Sequence, residues 1–545
     1  MKKQSTIGGF AYLSVAVLIV KVLSLLYLPV LVAILGDEGY GVYAASYQIF
    51  VVIYAVTNSG LPQSISKLVS ELTAVGNYKD AVKVFKMSRA LLICLGFIVS
   101  VLFFIFAKSI AAAVHYPRSY LGVLALAPTI FFSTINTSYR GYFQGRGNMA
   151  PTAVSQVIEQ VINIVFTLIL AYAFIRHSLE AAVGGGAFAT SIAALFTSLF
   201  LVHLYRKNKE SKIVRMHDPS VKRYSNKQLF KRILNCSIPL SAYTLMYNLG
   251  NIIDLSNTKA RLLHAGFLES EATKLFGFLT KYNQLIGIPN AIITSLSVAI
   301  LPAIAAAAAR NDRDEVIDKI EMAFKTCFLI SIPSAVGLSI LSYPIYRLMK
   351  FGGGSYVMLY GAYVLVLMSA VQVFSTILQG LGRLYLVSSF LIIGIAGKII
   401  TNYFVVAIPD INILGAIIGN TIYYLIPLVL GNIILVKTIN NKTNVFVYAV
   451  RPAIASGIMG IGIYGIYTVL HYVISFISSG YISYAVPALI CIVLGEYVYF
   501  VSLIFMKGIT SEDLNILPER LRKFIPKHMM DLIKKREKTG QYIDN

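Results

Sequence analysis

Six ionisable side chains stand inside stretches that are otherwise apolar: Lys21, Glu159, Asp254, Lys281, Lys398 and Glu496. An ammonium at the middle of a hydrocarbon layer costs about 2.5 to 3.5 kcal/mol on insertion scales, so each needs a watery cavity or a counter-ion. Lys21 is the sharpest case. It lies near the middle of Ile7 to Leu35, an apolar run whose only basic residue it is, about ten or more residues from either end and thus a long reach from an interface.

Lys398 and Asn402 are four apart and share a helix face. Asp254 can be neutralised by Lys398, by a bound cation assisted by Asn402, or by Lys21, which opens the first half of the chain much as Asp254 opens the second. The first two arrangements leave Lys21 and Lys281 as net positive charge facing a cavity, which suits an anionic substrate. Glu159 and Glu496 are read as polar groups in helix packing.

Other chemistries lack their residues. No GxxxxGK[ST] phosphate loop, HExxH pair or histidine cluster occurs, so ATP hydrolysis and zinc chemistry are unsupported and no metal site or cofactor is expected beyond a coupling cation, sodium or proton. A GxGxxG string at Gly460, Gly462 and Gly465 falls in an apolar stretch with no strand before it, and reads as small-residue helix packing. Cys94, Cys236, Cys327 and Cys491 show no CxxC spacing and read as small core residues.

The elements that must position these groups are membrane helices. The 545 residues are 57% hydrophobic and 13% charged, with mean hydropathy +0.72, against roughly 25% charged residues in soluble domains. The net charge of +23 gathers in alternate loops, as the positive-inside rule requires, so nucleic acid is not an expected partner. The first run is too long for a signal-peptide core, and no cleavage is expected.

The pattern predicts an all-α polytopic membrane protein of about fourteen transmembrane helices: two six-helix bundles related in parallel, plus a C-terminal helix pair. The first bundle occupies 1–205, with Gly36 to Tyr40 (GDEGY) as the turn between spans one and two. A basic cytoplasmic linker, 206–232, holds ten Lys and Arg against Glu210 and Asp218 and should touch anionic lipid headgroups. The second bundle covers 233–437, helices thirteen and fourteen 438–506, and a basic amphipathic tail 507–545 should lie on the inner leaflet. An even number of spans keeps both termini cytoplasmic. With no Trp, tyrosines such as Tyr139 with Tyr142 and Tyr423 with Tyr424 must supply an interfacial belt.

The halves repeat. LPQSISKLVSEL from Leu61 parallels LPAIAAAAARND from Leu301, and FQGRGN from Phe143 parallels LQGLGR from Leu378, with Gln144 and Gln379 in register and glycines 145/147 matched to 380/382. Both pairs fall on the inner side, as expected for bundles that rock around a central site.

The fourteen-span layout, SGLPQSISKLVSEL from Ser59 and the paired QGxG turns resemble the polysaccharide-export branch of the multidrug/oligosaccharidyl-lipid/polysaccharide exporters, in particular the group of stage V sporulation protein B and the MurJ-type lipid II flippases. The resemblance spans about residues 5 to 510. It implies a secondary transporter of the bacterial cytoplasmic membrane, not an enzyme, flipping an undecaprenyl-diphosphate-linked saccharide such as lipid II to the outer leaflet. It also implies that Lys21, and Lys281 with Gln284, hold the diphosphate; the ion pair or cation site of Asp254, Lys398 and Asn402 rests on the residues alone. Cell-wall synthesis proteins are the implied partners. The chain departs from the family pattern around Tyr27, where a second basic residue is replaced, and in span two, which has no basic residue before Lys67. Two other functions fit the composition: a cation-coupled multidrug exporter, which would favour acidic cavity residues, and a non-transporting assembly factor acting through its basic loops.

Overall fold

In a bilayer every backbone N–H and C=O must be satisfied within the chain, and a helix does this segment by segment. A computed structural model describes residues 6–58, 60–207, 223–310, 312–439, 445–478, 480–506 and 508. Among these it contains helices and no strand. The first seven helices are α1 (Thr6–Leu26), α2 (Leu28–Asn58), α3 (Gly60–Ala74), α4 (Tyr78–Ala113), α5 (Tyr120–Gly145), α6 (Ala150–Phe174) and α7 (Leu179–Lys207). Next come α8 (Asn226–His264), α9 (Glu269–Ala309), α10 (Arg313–Ile340), α11 (Ser342–Leu348), α12 (Ser355–Gly361) and α13 (Val364–Gly380). The last four are α14 (Leu384–Val405), α15 (Leu414–Ile439), α16 (Val447–Ile477) and α17 (Tyr481–Phe505).

Short polar residues start several of them. Asn77 Oδ1 accepts from Asp80 N at 3.2 Å at the head of α4, and Ser225 with Gln228 forms a reciprocal capping box on α8. The predicted linker is therefore shorter than its charge suggested, since Lys227, Lys231 and Arg232 already belong to α8; its part 208–222 and the tail from 509 lie outside the described residues.

Ten helical segments are long and apolar enough to cross a membrane, or eleven if α12 and α13, bent by 55°, count as one span. The expected fourteen is thus reduced by this measure among the described residues. Two causes are plain. Only Val15–Leu26 of α1 scores as an apolar segment, and it is short, while α8 carries Lys227, Lys231, Arg232, Asp254, Lys259 and Arg261 on one helix.

The first apolar run is not one helix. It breaks at Tyr27, and a second break at Gly36, with φ 69° and ψ 175°, divides α2. That left-handed φ suits glycine, which has no Cβ to clash. Lys21 consequently sits five residues before the end of α1 instead of at the centre of an unbroken span.

The helices group into two compact units. The first holds α1 to α8, most of α9, the segment 350–354, α14 and most of α15. Within it α5 packs against α4 and α7, α6 lies between α1 and α7, and α8 meets α2, α3 and α14. The second holds the end of α9, α10 to α13, α16 and α17, with the α16–α17 hairpin packed on α10.

Tyr139, Tyr142 and Tyr423 do not form an interfacial belt. Tyr139 and Tyr142 are buried in a cluster with Phe85 and Tyr205, and Tyr423 is buried as well. The exposed tyrosines are others, among them Tyr172, Tyr385, Tyr464 and Tyr472. Of the GxGxxG glycines only Gly460 is crowded, against Ile340 and Val336; Gly462 and Gly465 face open space.

Candidate functional site

Lys21 opens into a cavity of about 350 Å³ among α1, α6 and α7. Val17 and Val20 flank it on α1, Gln156, Glu159, Gln160 and Asn163 come from α6, and Thr190 and Ala193 come from α7. The α6 residues recur at helical spacing, so one face of an apolar helix turns polar toward the cavity. Asn163 Oδ1 accepts from Thr190 Oγ1 at 3.0 Å and from Thr167 Oγ1 at 3.2 Å, and Tyr47 hydrogen-bonds Thr190. These bonds fix the α6–α7 wall. Lys21 itself makes no ion pair or hydrogen bond through its ammonium among the described residues, and its side chain is exposed to the cavity. An unpaired ammonium beside amides and hydroxyls can take an anionic oxygen group.

Glu159 is more than a packing group. Its carboxylate accepts from Arg140 Nη2 of α5 at 2.6 Å, and Arg140 Nε donates to Ser155 Oγ at 2.9 Å. Nothing in the sequence pointed to this pair, because Arg140 reads there as part of the inner turn after span four, 19 residues from its partner, whereas it belongs to α5.

Asp254, Lys398 and Asn402 are brought together, all buried. Lys398 Nζ lies 2.8 Å from Asp254 Oδ2 and donates to Gly250 O at 2.7 Å and Asn420 Oδ1 at 2.6 Å. Asn402 Nδ2 donates to Asp254 Oδ1 at 3.2 Å. Gly419 lets Asn402 in, since any Cβ there would overlap its Oδ1. Lys21 is not the partner of Asp254 in this structure.

Lys281 stands differently from its expectation. It is fully buried, its ammonium held by the Asp37 carboxylate and the Phe351 carbonyl, with the Phe278 ring centroid 5.3 Å away. The Gly36 break delivers Asp37 to it, and Gly352, at φ 70°, brings the 350–354 segment over the same carboxylate. Gln284, three residues further along α9, is exposed, and no side-chain hydrogen bond holds it among the described residues. Neither residue is joined to the Lys21 cavity.

Next to this pair Arg118 links two acids, Glu38 of α2 and Glu180 of α7, the latter at 2.5 Å. Lys259 pairs with Glu269 at 3.0 Å and lies 4.0 Å from the Tyr116 ring centroid. The GDEGY turn therefore carries two anchoring carboxylates, a signal that its short length concealed. Among the described residues no three His, Cys, Asp or Glu gather as metal ligands.

Comparison with known proteins matches residues 7–308 to the family described as polysaccharide biosynthesis protein. Stage V sporulation protein B of Bacillus subtilis (strain 168) is 30% identical over 357 residues, covering 65% of this chain and 68% of that protein. Lipid II flippase MurJ of the same strain is 25% identical over 516 residues, 90% of this chain and 93% of its own. Two solved structures share the fold. A lipid II flippase MurJ in an inward closed conformation superposes with a TM-score of 0.66 at 16% identity, covering 91% of this chain and 98% of that one. An inward-facing multidrug resistance MATE family transporter of the MOP superfamily gives 0.64 at 18% identity, over 78% of this chain and 96% of that one. With its multi-pass helical architecture, the chain belongs to the polysaccharide biosynthesis protein family.

Proposed function

We propose that this protein is a membrane transporter, a flippase that carries an undecaprenyl-diphosphate-linked saccharide, lipid II foremost, from the inner to the outer leaflet by alternating access. The observation that carries this reading is the unpaired Lys21 ammonium in a polar cavity between otherwise apolar helices. Such a group offsets the cost of drawing a diphosphate out of water, through charge-assisted hydrogen bonds. The relatives named as a lipid II flippase and as a sporulation protein point the same way.

The membrane potential supplies a driving force. With the cytoplasm negative, outward movement of an anion is favoured by about 2.3 kcal/mol per charge per 100 mV, provided the lysine stays behind. Asp254 needs no exchangeable cation for this, because the Lys398 ammonium already answers it. Fourteen membrane passes in two parallel bundles plus a helix pair, with both termini in the cytoplasm, complete the proposal. The basic stretch 206–232 would lie on anionic headgroups, and cell-wall synthesis proteins would receive the flipped lipid.

The test is exposure of lipid II at the outer leaflet in cells depleted of their own flippases and supplied with this chain. Wild type should restore exposure, and Lys21→Ala should lose at least tenfold, the worth of one charge-assisted contact. Failure of a well-expressed wild type to restore it removes lipid II, and normal exposure by Lys21→Ala removes the site.

A further inference from the structure

The Lys21 cavity contains a carboxylate, which a site for an anion has no evident use for. Glu159 lines it from α6, and its side chain is 25% exposed there. The carboxylate is matched by Arg140, whose side chain is only 12% exposed. Arg140 uses Nη2 for Glu159 and Nε for Ser155, while Nη1 makes no hydrogen bond to any described residue. A guanidinium has five N–H donors in a planar fork suited to two phosphate oxygens. More than half of that donor capacity is idle.

The charges add up to a purpose. Arg140 stands behind Glu159 and does not itself line the empty cavity, so Lys21 and the Arg140–Glu159 pair at its wall sum to one positive charge, which a low-dielectric site holds at less cost than two. Without Glu159 there would be two. A diphosphate brings at least two negative charges, and a single lysine leaves it under-matched.

Resting on the flippase function proposed above, we propose that Arg140 is a second cationic ligand for the substrate's diphosphate, and that Glu159 holds it when the cavity is empty. An arriving diphosphate competes with the Glu159 carboxylate for the guanidinium. The carboxylate has other donors within the same wall, the amide N–H groups of Gln160 and Asn163, to which it can turn. When the diphosphate leaves, Glu159 recovers Arg140. The competition keeps binding weak enough for release, and no covalent step or exchangeable ion is involved.

The alternative, a plain packing pair between α5 and α6, makes opposite demands on one variant. Glu159→Gln keeps the size of the side chain and an acceptor oxygen but removes the charge that holds Arg140. The experiment measures binding of undecaprenyl diphosphate to the purified full-length protein in nanodiscs of uncharged lipid, together with its thermal unfolding midpoint. Glu159→Gln should bind the probe about tenfold tighter and release it more slowly, and Arg140→Gln about tenfold more weakly. Arg140→Lys, which keeps the charge but not the fork, should fall between wild type and Arg140→Gln, and the double variant should resemble Arg140→Gln. Unchanged or weaker binding by Glu159→Gln overturns the proposal, even if Arg140→Gln fails to fold. If wild type binds no undecaprenyl diphosphate, the flippase function falls and this inference falls with it; if wild type binds and the variants match it, only the inference falls.

Discussion

Lys398 has three oxygen acceptors, from Asp254, Gly250 and Asn420, and about 1% of its side chain is exposed. A buried ion pair of this kind contributes little over a well-packed apolar pair, but removing one partner strands the other charge and costs about 3–5 kcal/mol. Lys398→Met should therefore lower the unfolding midpoint sharply, and Asp254→Asn should do likewise. The double variant should recover much of the loss, since neither charge is then left alone. Additive losses in thermal unfolding of the detergent-purified protein would rule out this pairing. The cluster was partly legible in sequence because Lys398 and Asn402 share a helix face and Asp254 is an isolated acid in an apolar context. Gly250 O and Asn420 were not legible, since a carbonyl carries no sequence signal and Asn420 is remote. Arg140 with Glu159, and Arg118 with Glu38 and Glu180, were missed because the partners are remote in sequence and, Glu159 apart, each looks like a loop or helix-end charge.

Two helix crossings repeat at the scale of elements. In α5, Gly145 lies against Ser66 and Val69 of α3, where a Cβ would come 2.7 Å from Ser66 O. In α13, Gly380 lies against Leu301 and Ile304 of α9, where a Cβ would come 2.9 Å from Ile304 Cγ2. These are the segments whose sequences matched between the halves, so the repeat is a repeat of contacts. Each turn then closes on a left-handed glycine, Gly147 at φ 73° and Gly382 at φ 75°. The two glycine types should respond differently. Gly145→Val and Gly380→Val overpack a crossing and should cost about 1–3 kcal/mol. Gly147→Ala and Gly382→Ala meet no neighbour and should cost about 1 kcal/mol from backbone strain alone. Unfolding midpoints of the four variants decide, and an equal cost for both types would refute the close crossing. Most helices were legible from hydrophobic runs and charged turns, because hydrocarbon demands long apolar segments. The break at Gly36 was legible too, as the start of the GDEGY turn, but the break at Tyr27 was not, because it falls inside one apolar run, where composition gives no reason to stop.

For the whole molecule, the alternating access proposed above requires that one end be closed while the other is open. The end that charge bias assigns to the outside is fastened by Asp37–Lys281, by Arg118 between Glu38 and Glu180, and by Lys259–Glu269. These pairs differ in weight. Arg118 is 40% exposed, so its bonds are screened and together hold about 1 kcal/mol; Lys281 is 0% exposed, and losing Asp37 leaves a buried ammonium facing only a carbonyl. Asp37→Asn should consequently open the outer end more than Arg118→Ala does. Ser46, wholly buried and bonded to the Ser119 carbonyl, lies behind the fastening and serves as a reporter. In a chain lacking its four native cysteines and carrying Ser46→Cys, an impermeant maleimide added outside should react about fivefold faster with Arg118→Ala than with the parent, the change expected for about 1 kcal/mol. Asp37→Asn should exceed that. Equal reactivity in all three would mean that these pairs hold the fold and take no part in opening. A larger effect of Arg118→Ala than of Asp37→Asn would place the closure at the α2–α7 edge instead of around Lys281, and would move the search for the outward path to that edge.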